Sequence, residues 1–319
     1  MNFQQLRSFR EVQRQGFNLT EVALALHTSQ PGVSRQIKEL EDELGIELLQ
    51  RSGKRVLGLT APGQHVLPII ERLLLELDNL RRASDDYARA DHGLLRIATT
   101  HSQARYALPA AVRDFRALHP GVQLHFKQGG PHQVAQQLLD GEADLGIATE
   151  ALAQHPELLT LPAYRWTHCV LVPKAHPLAL QAQAGHALSL QALARYPLVT
   201  YERGYTGRAH IDEAFAQAGL NVDVALEAMD ADVIKTYVEL GLGVGIVAAI
   251  AYDEERDAHL RALDARHLFA DNLTRVAVRR DAYLRDFVYA FISTFVPPLT
   301  RAVVEAARHP ATLPDLKCA

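Results

Sequence analysis

The apolar residues of this 319-residue sequence change their spacing once, near Gly93. Before that point they recur three and four residues apart, the period of helices; after it, strand-like runs alternate with helical runs. The change restricts the chain to an α/β protein with a helical N-terminal part, because strand–helix alternation builds mostly parallel sheets with helices on both faces. The length exceeds one typical core and suits two or three domains.

Within the N-terminal part, Phe3, Leu6, Phe9 and Val12 predict a first helix. Asn18, three residues before Glu21, resembles a capping box and opens a second helix running to Leu26. Thr28 and Ser29 break the pattern. Ser29 is a credible N-cap for a third helix, with Pro31 tolerated in its first turn. Val33, Ile37, Leu40 and Leu44 form that helix's buried stripe, and Gly45 ends it. Two short helices joined by a tight turn make a helix-turn-helix, whose second helix must keep its N-terminal outer face free for the major groove. Headed by Ser29, that face carries Gln30, Ser34, Arg35 and Lys38. Gln and Arg can bond base edges in pairs, while Ser and Lys suit phosphates or single contacts. The turn that follows offers Arg51, Lys54 and Arg55 to the DNA backbone, and the acidic cluster Glu39, Glu41, Asp42 and Glu43 is expected to point away. Stripes and polar faces of this kind also occur in small helical domains that bind no DNA.

Thr60 and Pro62 start a long helix. Val66, Ile70, Leu73, Leu77 and Leu80 lie four and three apart along it, a coiled-coil seam. A helix about 40 Å long with one greasy seam needs a partner helix; a second copy of the chain makes it a dimer, and the alternative is packing against its own chain. The net charge of −4 confines any DNA contact to a local patch. Cys169 and Cys318 are too few and too far apart for a disulfide framework or a zinc site. The charged start of the chain lacks an apolar signal segment, and the apolar run Leu240 to Ala251 is too short to span a bilayer, so the expected location is cytoplasmic with no membrane association.

From Gly93 onward, strands are expected over Leu94–Thr99, Val122–Gln128, Leu145–Thr149, Cys169–Val172, Leu198–Tyr201 and Gly243–Val247, with a last strand and helix between Thr274 and Phe295. Helices are expected near 103–118 and 133–139. Ligands of such sheets sit beyond the carboxyl ends of the strands. Thr99, Thr100, Thr149 and Thr200 stand at such ends, and Ser102 and Gln103 open the next helix. Hydroxyls with free helix N–H groups can hold an anion without a buried cation. Any one of these residues taken alone is as readily a cap or a strand-end bond.

The run Asn18-Leu19-Thr20-Glu21-Val22-Ala23, then His27 through Ile37, Leu40-Glu41-Asp42-Glu43-Leu44-Gly45 and Leu59-Thr60-Ala61-Pro62-Gly63 resembles the N-terminal signature of LysR-type transcriptional regulators. Ile97 through Tyr106, Gly141-Glu142-Ala143-Asp144, Ala148-Thr149-Glu150, Tyr205-Thr206-Gly207-Arg208 and Asp232 through Val238 with Gly241 through Gly245 are similar to the CysB and Cbl group of that family, regulators of sulfur assimilation. The resemblance implies a winged helix-turn-helix over 1–60, a linker and dimerisation helix over 61–90, and an effector-binding domain over 91–300 resembling periplasmic binding proteins. Its lobe I would cover 91–163 and 266–300 and its lobe II 164–265, followed by a tail over 301–319.

The resemblance further implies a dimer-to-tetramer assembly on double-stranded promoter DNA, with RNA polymerase as a candidate partner. It implies no bound cofactor, only a small anionic effector such as sulfate, O-acetylserine or N-acetylserine. A Cbl-like role would answer instead to adenosine phosphosulfate or sulfate. The matching cleft residues are Thr100, Ser102 (usually Thr in that group), Gln103 and Thr149; Glu202 departs, standing where that group has Thr. An acid beside an anion site is unfavourable unless it points outward or pairs with Arg203. Asp230 and Asp232 read as caps of a later helix, and Trp166 as a residue of the cleft or of interlobe packing. Three other readings are weaker. An enzyme lacks an HExxH pair, a GxSxG elbow or a phosphate-cradling loop in this sequence. A transport binding protein would not need the N-terminal region, and a redox switch would rest on Cys169 or Cys318.

Overall fold

The computed structural model describes residues 1–308 except 54, 89–91 and 206. Lys54, Thr206, Cys318 and most of the expected tail therefore lie outside the described residues. The chain divides into two units, Met1–Asp85 and the part from Asp86 onward.

The first unit contains α1 (Phe3–Arg14), α2 (Leu19–Ala25), α3 (Gln30–Leu44), the antiparallel pair β1 (Leu49–Ser52) and β2 (Arg55–Leu59), and most of α4 (Ala61–Ala88). Its caps follow from short polar side chains at the helix starts. Asn2 accepts from the N–H groups of Gln4 and Gln5, Asn18 from those of Thr20 and Glu21, and Ser29 from that of Gly32. Gly45 closes α3 at φ 71°, a left-handed conformation that a side chain resists. Phe9, Val12, Val22, Val33, Ile37 and Leu40 are fully enclosed in one core, whereas Leu44 is 38% exposed because α3 ends beside it.

The second unit holds two five-stranded mixed sheets. The strands and helices of lobe I are β3 (Gly93–Thr99), α5 (Leu108–Leu118), β4 (Val122–Gln128), α6 (Pro131–Leu139), β5 (Leu145–Ala148) and β6 (Leu158–Trp166). Lobe II follows with β7 (His168–Pro173), α7 (Pro177–Gln183), α8 (Leu190–Leu193), β8 (Leu198–Tyr201), α9 (Arg208–Gln217), β9 (Val224–Ala228), α10 (Ala231–Glu239), β10 (Val244–Ala248) and β11 (Leu260–Asp264). The chain then returns to lobe I with β12 (Asn272–Arg279), α11 (Asp286–Phe295) and α12 (Arg301–Arg308).

The lobe I sheet runs β4-β3-β5-β12-β6 and the lobe II sheet β11-β7-β10-β8-β9. Each is covered by apolar clusters on both faces, as buried sheets with crossover helices require. The first passage between sheets falls at Thr167, so Tyr164, Arg165 and Trp166, expected in lobe II, finish β6 of lobe I. Pro162 hides that strand from a sequence reading; it sits at an irregularity in the β6–β12 register, where a residue without an N–H is tolerated. Residues 301–308 of the expected tail form α12, whose Val304 is buried in the lobe I core.

Candidate functional site

α3 presents its N-terminal half outward. Gln30, Arg35 and Lys38 are exposed, as are Arg51 and Arg55 of the β1–β2 hairpin, while Ser34 is half-buried. Ser29 carries its oxygen to the Gly32 N–H at 3.2 Å and so acts first as a cap. Gln30 and Arg55 line one groove beside α3, and Ser34, Lys38, Gln50 and Arg51 line another on its wing side. The acidic cluster does not simply point away. Glu39 accepts from the Arg35 Nε at 2.8 Å, and Asp42 lies 2.9 Å from the Lys38 ammonium, each one turn along the same face. As exposed ion pairs, both contribute little to stability. Glu41 turns inward instead, accepting from the N–H groups of Leu48 and Leu49, with Arg51 3.6 Å away.

The apolar face of α4 splits. Leu67, Ile70 and Leu74 are buried in the core of the first unit and Val66 packs partly against it. Leu73 and Leu80 are exposed, Leu77 is half-buried, and Ile69 joins them at 49% exposure. At about 100° per residue, two stripes one residue out of phase lie on adjoining faces. A single heptad reading therefore merged Ile70, which serves its own chain, with Leu73 and Leu80, which do not.

In the second unit, β3, β5 and β8 end where the two lobes face each other. Thr99 donates to the Ile147 carbonyl at 2.9 Å, and Thr200 to the Ile246 carbonyl at 3.2 Å. These two hydroxyls, one per lobe, tie neighbouring strands together. Thr100, Ser102 and Thr149 are buried polar residues at the same ends. The Ser102 Oγ approaches the Tyr201 hydroxyl of lobe II but reaches no hydrogen-bond geometry, so it is a buried polar atom without a bonding partner. Such an atom costs free energy unless a further group satisfies it.

Gln103 begins a π-helical turn, Gln103–Ala107, in place of the α-helical start expected there. Wide turns of this kind recur at functional sites. Its amide donates to the Thr274 hydroxyl at 3.2 Å and accepts from the Tyr164 hydroxyl, which fixes its orientation. Glu202 is exposed on the loop after β8, and Arg203 lies 3.7 Å from Asp212. The acid is therefore not among the buried residues at these strand ends. Trp166, 7% exposed, meets the His168 ring edge-on at 5.2 Å, a packing position at the passage between lobes.

Asp230 caps α10, accepting from the Val233 N–H at 2.9 Å. Asp232 does more than a cap: it accepts from the Tyr106 hydroxyl of lobe I at 2.7 Å and lies 3.3 Å from the Arg105 Nε and 3.2 Å from the Lys235 ammonium. Partial burial alone would raise the Asp232 carboxyl, but the bonds from Tyr106 and Lys235 and the nearby cations outweigh it and hold the group below its ordinary value. His101, Asp230 and Asp232 bring ligand atoms within 4.8 Å of one another, yet Arg105 and Lys235 already occupy Asp232, which disfavours a dication.

Replacing Asp232 by Ala is expected to lower the stability of the second unit by about 1 to 2 kcal/mol, the scale of a hydrogen bond to a charged group reduced by solvent screening of this 41% exposed carboxylate. Because the folded carboxyl is depressed, its contribution is complete above the ordinary Asp pKa and lost as pH falls through the lowered one. Urea unfolding of wild type and Asp232→Ala should therefore differ at neutral pH and converge in acid.

Burial pushes the Cys169 thiol up to about 12, so it stays protonated and poorly reactive. Among the described residues no helix is long and apolar enough to cross a membrane.

Residues 3–64 match the family described as bacterial regulatory helix-turn-helix protein, lysR family, and residues 88–297 match the LysR substrate binding domain. The chain is 55% identical over 304 residues to the HTH-type transcriptional regulator SsuR of Burkholderia cenocepacia, covering 95% of this chain and 97% of that one. It is 52% identical to CysB of the same organism, covering 96% of this chain and 97% of that one, and 50% identical to cbl of Escherichia coli K12, covering 97% and 98%. Among solved structures, the cofactor-binding domain of the Cbl transcriptional regulator superposes at TM-score 0.63 with 44% identity, over 67% of this chain and 92% of that one. Full-length CbnR complexed with its target DNA superposes at 0.59 with 22% identity, over 94% and 100%, a likeness of fold.

Proposed function

Because the chain belongs to the LysR family of DNA-binding transcriptional regulators, we propose that it couples promoter binding to sulfur supply through a small anion held between the lobes of its second unit. It is a regulator and not an enzyme. The observation that carries the effector reading is the buried Ser102 hydroxyl, left without a bonding partner beside Thr100 and Thr149 at converging strand ends. Gln103 is oriented nearby by Thr274 and Tyr164. Sulfate, O-acetylserine and N-acetylserine each offer the acceptor oxygens that such hydroxyls and N–H groups bind. Resemblance to the CysB and Cbl group, and identities of 50 to 55% with relatives named cbl, CysB and SsuR, support the sulfur assignment.

In the DNA-reading arm, Gln30, Ser34, Arg35 and Lys38 enter the major groove while Arg51 and Arg55 follow the backbone. Ile69, Leu73 and Leu80 of α4 meet a second copy, and two such dimers on one face of the duplex give half-sites about 10 bp or a multiple apart. Replacing Arg35 by Ala tests the reading face. Duplexes would be selected from a randomised pool by the full-length protein and bound at fixed salt. Specific affinity is expected to fall about tenfold or more, the scale of a lost paired contact to a base, while affinity for poly(dI·dC) changes little. Unchanged specific affinity would remove Arg35 from that face.

A further inference from the structure

Arg35 stands 82% exposed on the outer face of α3, yet one edge of its guanidinium is not free to wander. Its Nε donates to Glu39 Oε1 at 2.8 Å. The other carboxylate oxygen, Oε2, accepts from the Gln5 Nε2 of α1 at 3.1 Å. Gln5 is itself nearly enclosed, 6% exposed, and its Oε1 accepts from the Asn2 N–H at 2.8 Å. That last bond settles which end of the amide faces Glu39, since an N–H donor fixes the oxygen and leaves the NH2 group for the carboxylate. The result is a rigid line from the capped start of α1, through Gln5 and Glu39, to Arg35.

Two features set this line apart from an ordinary surface ion pair. The order, with the cation N-terminal to the acid one turn later, is the less favourable arrangement on a helix. And the acid is clamped from a second helix, where an exposed pair normally loses its gain to side-chain freedom. A bond at Nε leaves the two terminal nitrogens of the guanidinium as a free fork, the group that pairs with the O6 and N7 of guanine. We propose that Glu39, clamped by Gln5, is a positioning residue that holds the Arg35 fork toward the major groove and so sharpens base preference without touching DNA. The inference rests on the reading of Arg35 as a base-contacting residue.

The sign of the effect separates this role from simple electrostatics. Glu39 is an anion beside a polyanion, so its removal by itself should tighten binding to every duplex. Loss of positioning should instead weaken only the selected site. Full-length wild type, Glu39→Ala, Glu39→Gln, Gln5→Met and Arg35→Ala would be compared on randomised duplexes, on the selected duplex and on poly(dI·dC), with circular dichroism confirming that each folds.

Glu39→Ala is expected to cost about threefold to tenfold in specific affinity, a part of the full value of a paired base contact, with equal or tighter binding to poly(dI·dC) and a flattened base preference at one position. Glu39→Gln keeps an acceptor for the Arg35 Nε and should restore most of the preference. Gln5→Met, remote from DNA, should blur the same position. Arg35→Ala should erase that position's preference, and Glu39→Ala added to it should cause no further loss. If Arg35→Ala matters and Glu39→Ala tightens or leaves unchanged the selected site, the positioning role is overturned while the reading face stands. If Arg35→Ala itself leaves base preference intact, the reading face falls first.

Discussion

Replacing Glu41 by Ala is expected to melt the helical N-terminal unit well before the rest of the chain. Glu41 lies near the end of α3 at 5% exposure, and its Oε1 accepts from the Leu48 N–H at 2.9 Å and the Leu49 N–H at 3.1 Å. Those two donors lead into β1, and Leu48 and Leu49 are themselves buried. Truncation strands both, at roughly 1 to 3 kcal/mol for each unsatisfied buried group, or about 2 to 6 kcal/mol together. A domain of this size has on the order of 5 to 15 kcal/mol to lose. Glu41→Gln should be far milder, because a single amide oxygen can still accept both bonds and only the 3.6 Å pairing with Arg51 is given up.

The two units can be followed separately. The chain's single tryptophan, Trp166, belongs to the second unit, so its fluorescence tracks that unit while far-ultraviolet circular dichroism also reports α1 to α4. In Glu41→Ala, part of the helical signal should be lost at lower temperature with the Trp166 transition unmoved. Coincident wild-type transitions in both signals would show that the wing does not hang on this carboxylate.

Glu41 also marks the limit of what the sequence discloses. It stands among Glu39, Asp42 and Glu43, and a run of acids reads as a solvated face. Only the return of β1 over the end of α3 singles it out. The helix-turn-helix was legible because its signals are local: the four-three-four stripe, the caps at Asn18 and Ser29 and the glycine at 45 each need only neighbouring residues. The α4 stripe was half legible, since period alone cannot assign Ile70 to the chain's own core and Leu73 to an outer face. Strands β6, β9 and β11 went unseen; β6 carries Pro162, and the burial of β9 alternates without any fully enclosed residue.

In the cleft, the strand-end hydroxyls were placed from sequence, but their division of labour was not. Thr99 and Thr200 spend their hydrogens on carbonyls 48 and 46 residues away. The Tyr106–Asp232 bond joins residues 126 apart. Partners that distant leave no trace in spacing.

Replacing Thr100 by Val is expected to abolish the response to effector while leaving DNA binding intact. Thr100 is 4% exposed at the carboxyl end of β3, next to the turn that carries Ser102 and Gln103. Valine keeps the branched shape that suits a strand end but offers no hydrogen to an anion. A hydrogen bond to a charged group is worth about 1.5 to 3 kcal/mol, so effector affinity should fall about tenfold to a hundredfold. Titration calorimetry against the effector reads that loss, and affinity for the selected duplex without effector should match wild type. A wild-type effector isotherm in Thr100→Val would take this hydroxyl out of the site.

Thermal unfolding of the full-length protein, followed by Trp166 fluorescence with sulfate, thiosulfate, O-acetylserine, N-acetylserine or adenosine phosphosulfate, tests the coupling of cleft to promoter most directly. A compound that binds only the folded state must raise the midpoint. At least one of the five should raise it in wild type but not in Thr100→Val, and the same compound should change affinity for the selected duplex. A panel in which none raises the midpoint, or in which the compound that does so leaves DNA affinity untouched, would contradict a sulfur-responsive regulator.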